Sequence, residues 1–286
     1  MATTAKAKRK ATKKVSKPWE TIPLPEDFAV PEDIWRISLR NVYRSIHTCL
    51  FGPTGSGKTH LVKLLSEATG KQLIPFNAGE ILDAITTLKG TIRLVQGQTV
   101  FVPSRFIVAI QQPNSLILLD EITRIPRDAM NSLFSLLDWQ GFIALDEADT
   151  PTLVRIAEGT VFFSTANIGA EYVGTNPMDR AFQDRWFMLE LSYPPPEEEA
   201  KIIAKRTGIP LEIAKKLAIF GYQCRAEWQK GTLSTPVSTR TLLNAAALIA
   251  DGFPLITAVL YTVLPLFYEG GANEEQVQIR QLIQKL

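Results

Sequence analysis

The residues best suited to chemistry form one unbroken run, Gly52-Pro53-Thr54-Gly55-Ser56-Gly57-Lys58-Thr59, which matches G-x-x-x-x-G-K-S/T in full. An apolar run ends at Phe51 and a helical pattern begins at Lys58, the strand-then-helix setting that this pattern needs. The glycines let backbone N–H groups turn inward onto phosphate oxygens, and the helix N-terminus adds the positive end of its dipole. Lys58 is placed to reach the β- and γ-phosphates of a nucleotide, and the Thr59 hydroxyl to ligate Mg²⁺. Together with the next residue, His60, these positions form the expected nucleotide contact, with ATP and Mg²⁺ as the expected cofactors. His47 and His60 are otherwise isolated in the chain and also read as packing or surface residues.

A second cluster follows at Leu116-Ile117-Leu118-Leu119-Asp120-Glu121. Apolar residues ending in paired acids at a strand terminus suit metal-assisted phosphoryl transfer. Asp120 is expected to hold Mg²⁺ through water, and Glu121 to orient and deprotonate the attacking water. Taken alone, such a run is also what a strand entering a surface turn looks like. The complete phosphate-loop match upstream separates the two readings.

These residues need a scaffold that brings distant strand ends together. From about residue 46 the chain alternates short apolar runs with amphipathic segments, the pattern of an α/β fold with a parallel sheet. The runs at 48–51, 73–77, 115–119, 160–166 and 186–191 are bounded by polar or turn residues, as expected of strands buried on both faces. Helical patterns occupy 58–69 and 129–138. Two stretches break the alternation. Residues 90–105 place Gly97 between β-branched runs and predict a small hairpin. Residues 141–159 carry Asp146, Glu147 and Asp149 and predict a second hairpin with an acidic tip. Phe101 reads either as a pore-facing aromatic or as a hairpin core residue.

At Tyr193-Pro194-Pro195-Pro196-Glu197-Glu198-Glu199 the composition changes abruptly. Three prolines forbid a continuing strand, and the acidic triplet belongs in a helix first turn, where the dipole favours it. Helical patterns then run at 197–206, 210–230, 239–250, 254–267 and 273–285. The expected architecture is a P-loop αβα sandwich with a five-stranded parallel sheet at 18–193, followed by a small all-helical lid at 194–286. Residues 1–17 form a basic tail ahead of both.

Composition narrows the function classes. The 286 residues are 45% hydrophobic and 21% charged, ordinary for a globular chain. Seven basic residues and no acid in residues 1–17, set against a net charge of +2, leave roughly −5 on the remaining 269. The tail is expected to be disordered, and the folded part lacks the basic balance of a dedicated nucleic-acid binder. The only long apolar run, sixteen residues at 253–268, is interrupted by Pro254 and Pro265 and falls short of the roughly 20 a membrane span needs. Two cysteines are too few for a disulfide framework or zinc site, which suits a reducing cytoplasm.

With both motifs in place the chain resembles AAA+ ATPases, specifically the MoxR, CobS and NorQ/CbbQ group. Asp120-Glu121-Ile122-Thr123-Arg124 is similar to the family's Asp-Glu-Ile-Asn-Arg and departs at Thr123. Ser164-Thr165-Ala166-Asn167 resembles sensor 1, which makes Asn167 the candidate polar group facing the γ-phosphate and lytic water. Ala181-Phe182-Gln183-Asp184-Arg185-Trp186 resembles the family's Leu-Asp-Arg-Phe, which makes Arg185 the candidate arginine finger. Arg180 is the alternative finger, and a local pairing of Arg185 with Asp184 or Asp179 is the non-catalytic one. Val237-Ser238-Thr239-Arg240 resembles sensor 2, which would bring Arg240 from the lid to the γ-phosphate.

The resemblance spans about residues 28–286 and includes both hairpin insertions, with a departure at Arg105, where the family usually has Gly. It implies a homo-oligomeric ring, usually a hexamer, with ATP between subunits. It also implies a protein client that is remodelled or activated, often with a von Willebrand factor A domain protein. Two other readings stand beside it. One is a nucleic-acid motor or loader working through the basic tail, which the acidic balance of the folded part disfavours. The other is a slow nucleotide-dependent scaffold, which the intact Glu121 disfavours.

Overall fold

The computed structural model describes residues 17–81, 83, 85–146, 148, 150–167, 178–267 and 274–286. The basic tail up to residue 16, and Glu147 and Asp149 of the acidic tip, lie outside the described residues.

The chain opens with a four-residue helix α1 (Pro18–Thr21) and the amphipathic α2 (Glu32–Tyr43), then enters β1 (Thr48–Phe51), α3 (Lys58–Thr69) and β2 (Gln72–Asn77). A hairpin of β3 (Gly90–Val95) and β4 (Gln98–Pro103) leads through α4 (Arg105–Ile110) to β5 (Ser115–Asp120) and α5 (Arg127–Leu137). A second hairpin, β6 (Phe142–Leu145) and β7 (Thr152–Arg155), precedes β8 (Val161–Ala166), α6 (Arg180–Gln183) and β9 (Phe187–Glu190).

Five of these strands form one parallel sheet in the order β2-β5-β8-β1-β9. Strand alternation splits its side chains between two cores. Ile117, Leu119 and Phe162 face a cluster with Phe106, Leu133 and Trp186. Leu116, Leu118, Val161 and Phe163 face another with Trp35, Leu39, Leu61 and Leu65. Double burial is the reason for the apolar runs at 116–119 in β5 and 161–163 in β8. β2 and β9 are different: they are the sheet's edges, where Ile74 is buried and the other side chains are half-buried or exposed. The expectation that all five strands are buried on both faces therefore fails at the two edges.

Both insertions are antiparallel hairpins, and Gly97 takes the positive φ of the first turn. Phe101 packs against the α/β core, which settles it as a hairpin core residue. Arg105, where the family pattern has Gly, starts α4; the Ser104 side chain caps that helix, and the guanidinium stacks over Phe76 at 4.8 Å. Helices α1 and α2 lie ahead of the first motif and were not anticipated. α2 buries Trp35, Leu39 and Val42 in the core that also covers α3.

Beyond the prolines every described element is helical: α7 (Pro196–Thr207), α8 (Leu211–Gln229), α9 (Thr239–Ala250), α10 (Leu255–Val263) and α11 (Glu274–Ile283). They bury their own apolar cluster around Leu217, Phe220, Leu242 and Phe267. The apolar helix expected at 254–267 is α10 followed by a tighter 3₁₀ turn, Leu264–Phe267. Pro265 accounts for the change, because it lacks the N–H that an α-helix would need there. No helix among the described residues is long and apolar enough to cross a membrane.

His47 sits just ahead of β1, edge-on to Phe162 and Trp186, and its Nδ1 accepts the Phe162 amide. Burial pushes its pKa down to about 4 from the ordinary 6.5. Between those values the unfolded chain binds a proton that the folded chain refuses, so stability falls as the solution is acidified. The expected loss across pH 6.5 to 4 is about 2–3 kcal/mol from this residue. His47→Gln keeps an acceptor without titrating, so its denaturant midpoint should fall less steeply over that window. Identical slopes for the two proteins would contradict the assignment.

Candidate nucleotide-binding and hydrolysis site

The turn from β1 into α3 is shaped by backbone that only glycine tolerates. Gly52 has φ +146°, and a Cβ there would lie 2.2 Å from the Leu191 carbonyl oxygen. Gly55 has φ +73°, and its Cβ would lie 2.5 Å from that of Ser238 on the helical domain. The loop is thus pressed between β9's exit and the lid.

Lys58 opens α3 and is buried, its ammonium donating to the carbonyls of Gly52 (3.0 Å) and Pro53 (2.8 Å). Burial pushes its pKa down to about 8, against the opposing pull of Asp120 and Glu121. The Thr59 hydroxyl donates to Asp120 Oδ1 at 2.9 Å, joining the start of α3 to the end of β5. Thr165 on β8 donates to the same oxygen and accepts the Glu121 amide at 2.9 Å. Glu121 itself adopts a left-handed conformation, φ 57° and ψ 46°. That costs a non-glycine residue about 1–2 kcal/mol and is characteristic of functional sites. Its carboxylate meets Arg124 at 3.0 Å. Thr123, the departure from the family pattern, is buried.

These groups line one cavity of about 460 Å³, within the range of about 300–1,000 Å³ usual for small-molecule sites. Thr54 to His60, Asp120, Glu121, Thr165 and Asn167 form its α/β side, and Arg240, Arg206, Ile202 and Leu243 its lid side. Phe28 and Ala29, from the segment before α2, complete the wall. Gly52 and Pro53 do not line the cavity; they hold Lys58 from behind. His60 packs edge-on against Phe28, and its Nε2 lies 2.6 Å from Arg206 Nη2. Burial first, and then the Arg206 charge, lower its pKa. A neutral ring accepting from Arg206 satisfies that geometry.

Mg²⁺ and a nucleotide fit the residues present. An alcohol and a carboxylate oxygen already share a hydrogen bond at the strand end, an all-oxygen pair that suits a cation retaining several waters.

Arg185 does not line this cavity. It donates to the Ala181 carbonyl at 2.6 Å, meets Asp138 Oδ2 at 3.4 Å and lies 4.4 Å over the Phe134 ring. Its acidic partner is therefore Asp138, not Asp184 or Asp179. Asp179 instead caps α6 through the Ala181 amide, and Arg180 is exposed at that helix's start. Sequence reasoning missed Phe28, Thr165 and Arg206. Thr165 had a signal: it sits within the sensor-1 stretch, and strand alternation separates it from Ser164.

Comparison with known proteins follows the same division of the chain. The AAA domain (dynein-related subfamily) family matches residues 47–186, and the CbbQ/NirQ/NorQ C-terminal family matches residues 199–284. The protein named "Putative chaperone BssE" of Thauera aromatica is 32% identical over 235 residues, covering 82% of this chain and 79% of its own. Protein CbbQ of Hydrogenophilus thermoluteolus is 27% identical, covering 85% of this chain and 88% of its own. Protein NorQ of Paracoccus denitrificans is 26% identical, covering 73% and 76%.

Thr165→Val removes the hydroxyl that braces both acids but keeps the side-chain shape. Titration of Mg²⁺ against binding of a fluorescent ATP analogue should show half-saturation raised about 2–10-fold, the worth of one hydrogen bond. Thr165→Ser should stay near the parent. An unshifted Thr165→Val titration would count against the brace.

Proposed function

The chain belongs to the AAA+ ATPases of the CbbQ/NorQ type, and from that membership we propose that it hydrolyses Mg²⁺–ATP to remodel or activate a protein client. One observation carries the reading: a single cavity gathers Lys58, the Thr59–Asp120 pair, Glu121 and Asn167 from one domain and Arg240 from the other.

In this reading Lys58 leaves the Gly52 and Pro53 carbonyls for the β- and γ-phosphates. The phosphate charge compensates the burial that makes its ammonium costly. Thr59 and Asp120 would hold Mg²⁺, which would supply neutralising charge to the phosphates. Glu121 takes the proton of the attacking water, and Asn167 orients that water. Arg240 grips the γ-phosphate from the lid, so loss of that phosphate frees α9 to rotate. Arg185, outside its own subunit's cavity, serves the nucleotide of a neighbour in a ring, taken as a hexamer by family resemblance.

Work is delivered through the insertions. Ile92 and Leu94 share the hairpin face of Phe101 yet are 58% and 76% exposed, and Trp139 beside the second hairpin is 88% exposed. Apolar groups of this kind suit a protein surface better than a phosphate backbone. A von Willebrand factor A domain protein would be a fitting partner for that surface.

Glu121→Gln should bind ATP at near-parental affinity and leave it intact, as read by chromatography of the bound nucleotide. Arg185→Ala should also retain ATP affinity within a few-fold, while turnover falls by about 10³ or more, because a finger acts only on transition-state charge. Mixing inactive Arg185→Ala with inactive Lys58→Ala should restore partial hydrolysis in mixed rings. Parental turnover in Arg185→Ala would transfer the role to the exposed Arg180.

A further inference from the structure

The lid and the linker leading into it touch the phosphate loop at two neighbouring residues, and both contacts lead back to one buried ion pair. Glu199, in the first turn of α7, is fully buried, and Arg225 of α8 is 5% exposed. They pair in the two-pronged geometry at 2.7 and 2.8 Å. The pair also grips both sides of Ser238. Arg225 Nε donates to the Val237 carbonyl at 2.8 Å, and Thr239 Oγ1 donates to Glu199 Oε1 at 2.6 Å. Ser238 is the N-cap of α9 and is the residue pressed against Gly55. Arg240 comes two positions later.

The second arm leaves from the flat face of the same guanidinium. Arg225 stacks over the Tyr193 ring at 4.0 Å, and the Tyr193 hydroxyl donates to the Thr54 carbonyl at 2.6 Å. Thr54 and Gly55 are therefore held side by side, one through the interdomain linker and the other through the start of α9.

Stability does not account for this arrangement. A buried ion pair contributes little net stability compared with apolar residues of the same volume. What an apolar replacement could not do is fix a carbonyl, a hydroxyl and a stacked ring in defined directions. We propose that Glu199, Arg225 and Tyr193 are positioning residues that set Arg240 in register with the phosphate loop, so that nucleotide binding and lid attitude form one equilibrium. The inference rests on the cavity being the ATP site.

Removing Glu199 or Arg225 leaves a buried charge unpaired, so the test uses the two gentler arms. Tyr193→Phe keeps the stacked ring and loses only the bond to Thr54. Thr239→Val loses the bond to Glu199, and Thr239→Ser retains it. With thermal unfolding as a fold check, Tyr193→Phe and Thr239→Val should each weaken ATP binding or turnover about 2–10-fold, with Thr239→Ser near the parent. The decisive measurement is coupling to Arg240. If the arms act through Arg240, adding either change to Arg240→Ala should lower turnover by clearly less than the same change does in the parent, because interacting sites are non-additive. Full multiplication of the separate losses in a parent that binds and hydrolyses ATP would overturn the positioning role alone. A parent that binds no more ATP than Lys58→Ala would overturn the ATPase reading and this inference with it.

Discussion

The hydrogen bond from Thr59 to Asp120 joins residues 61 positions apart, and the chemistry of the site depends on it. It exists because a parallel sheet ends all its strands on one edge. β1 delivers the phosphate loop there, β5 the two acids and β8 Thr165 and Asn167, while β9 releases Leu191 and Tyr193 beside Gly52 and Thr54. Open α/β sheets place ligands at the carboxyl ends of their strands for this reason. The two apolar cores on either side of β5 and β8 keep those ends level, so the cost of holding Glu121 in a left-handed turn falls on packing far from the site.

Much of this was legible because the signals are local. The phosphate loop is contiguous, and β1 and α3 lie where their apolar patterns put them, since a doubly buried strand has no freedom to hide its composition. What sequence could not supply were groups whose role depends on a remote partner. Phe28 is an ordinary apolar residue until Gly57 and His60 are placed against it. Arg206 reads as a solvated helix-end cation, and only the fold brings it onto His60. The edge strands β2 and β9 were misjudged for a related reason: a short run does not reveal whether a neighbour covers its second side.

The lid is therefore not a separate cap laid over a finished site. Ser238 against Gly55, Tyr193 on Thr54, and Arg206 on His60 are three contacts spread along the same turn and the helix that follows it. None is large. Together they mean that the helical domain cannot rotate far without moving backbone that faces phosphate. An arginine such as Arg240, exposed at the start of α9, inherits its position from that shared framework more than from contacts of its own.

A comparable linkage joins Arg185 to the insertions. The Asp138 carboxylate divides its two oxygens, one toward Arg185 and the other accepting the Trp139 amide. Trp139 is the most exposed large apolar side chain of the chain's described residues, and β6 begins three positions later. The guanidinium of Arg185 is held at 2.6 Å by the Ala181 carbonyl and at 3.4 Å by Asp138, and the longer contact is the weaker. That carboxylate sits at the root of the second hairpin. One carboxylate thus links Arg185 to an exposed aromatic at the foot of the second hairpin.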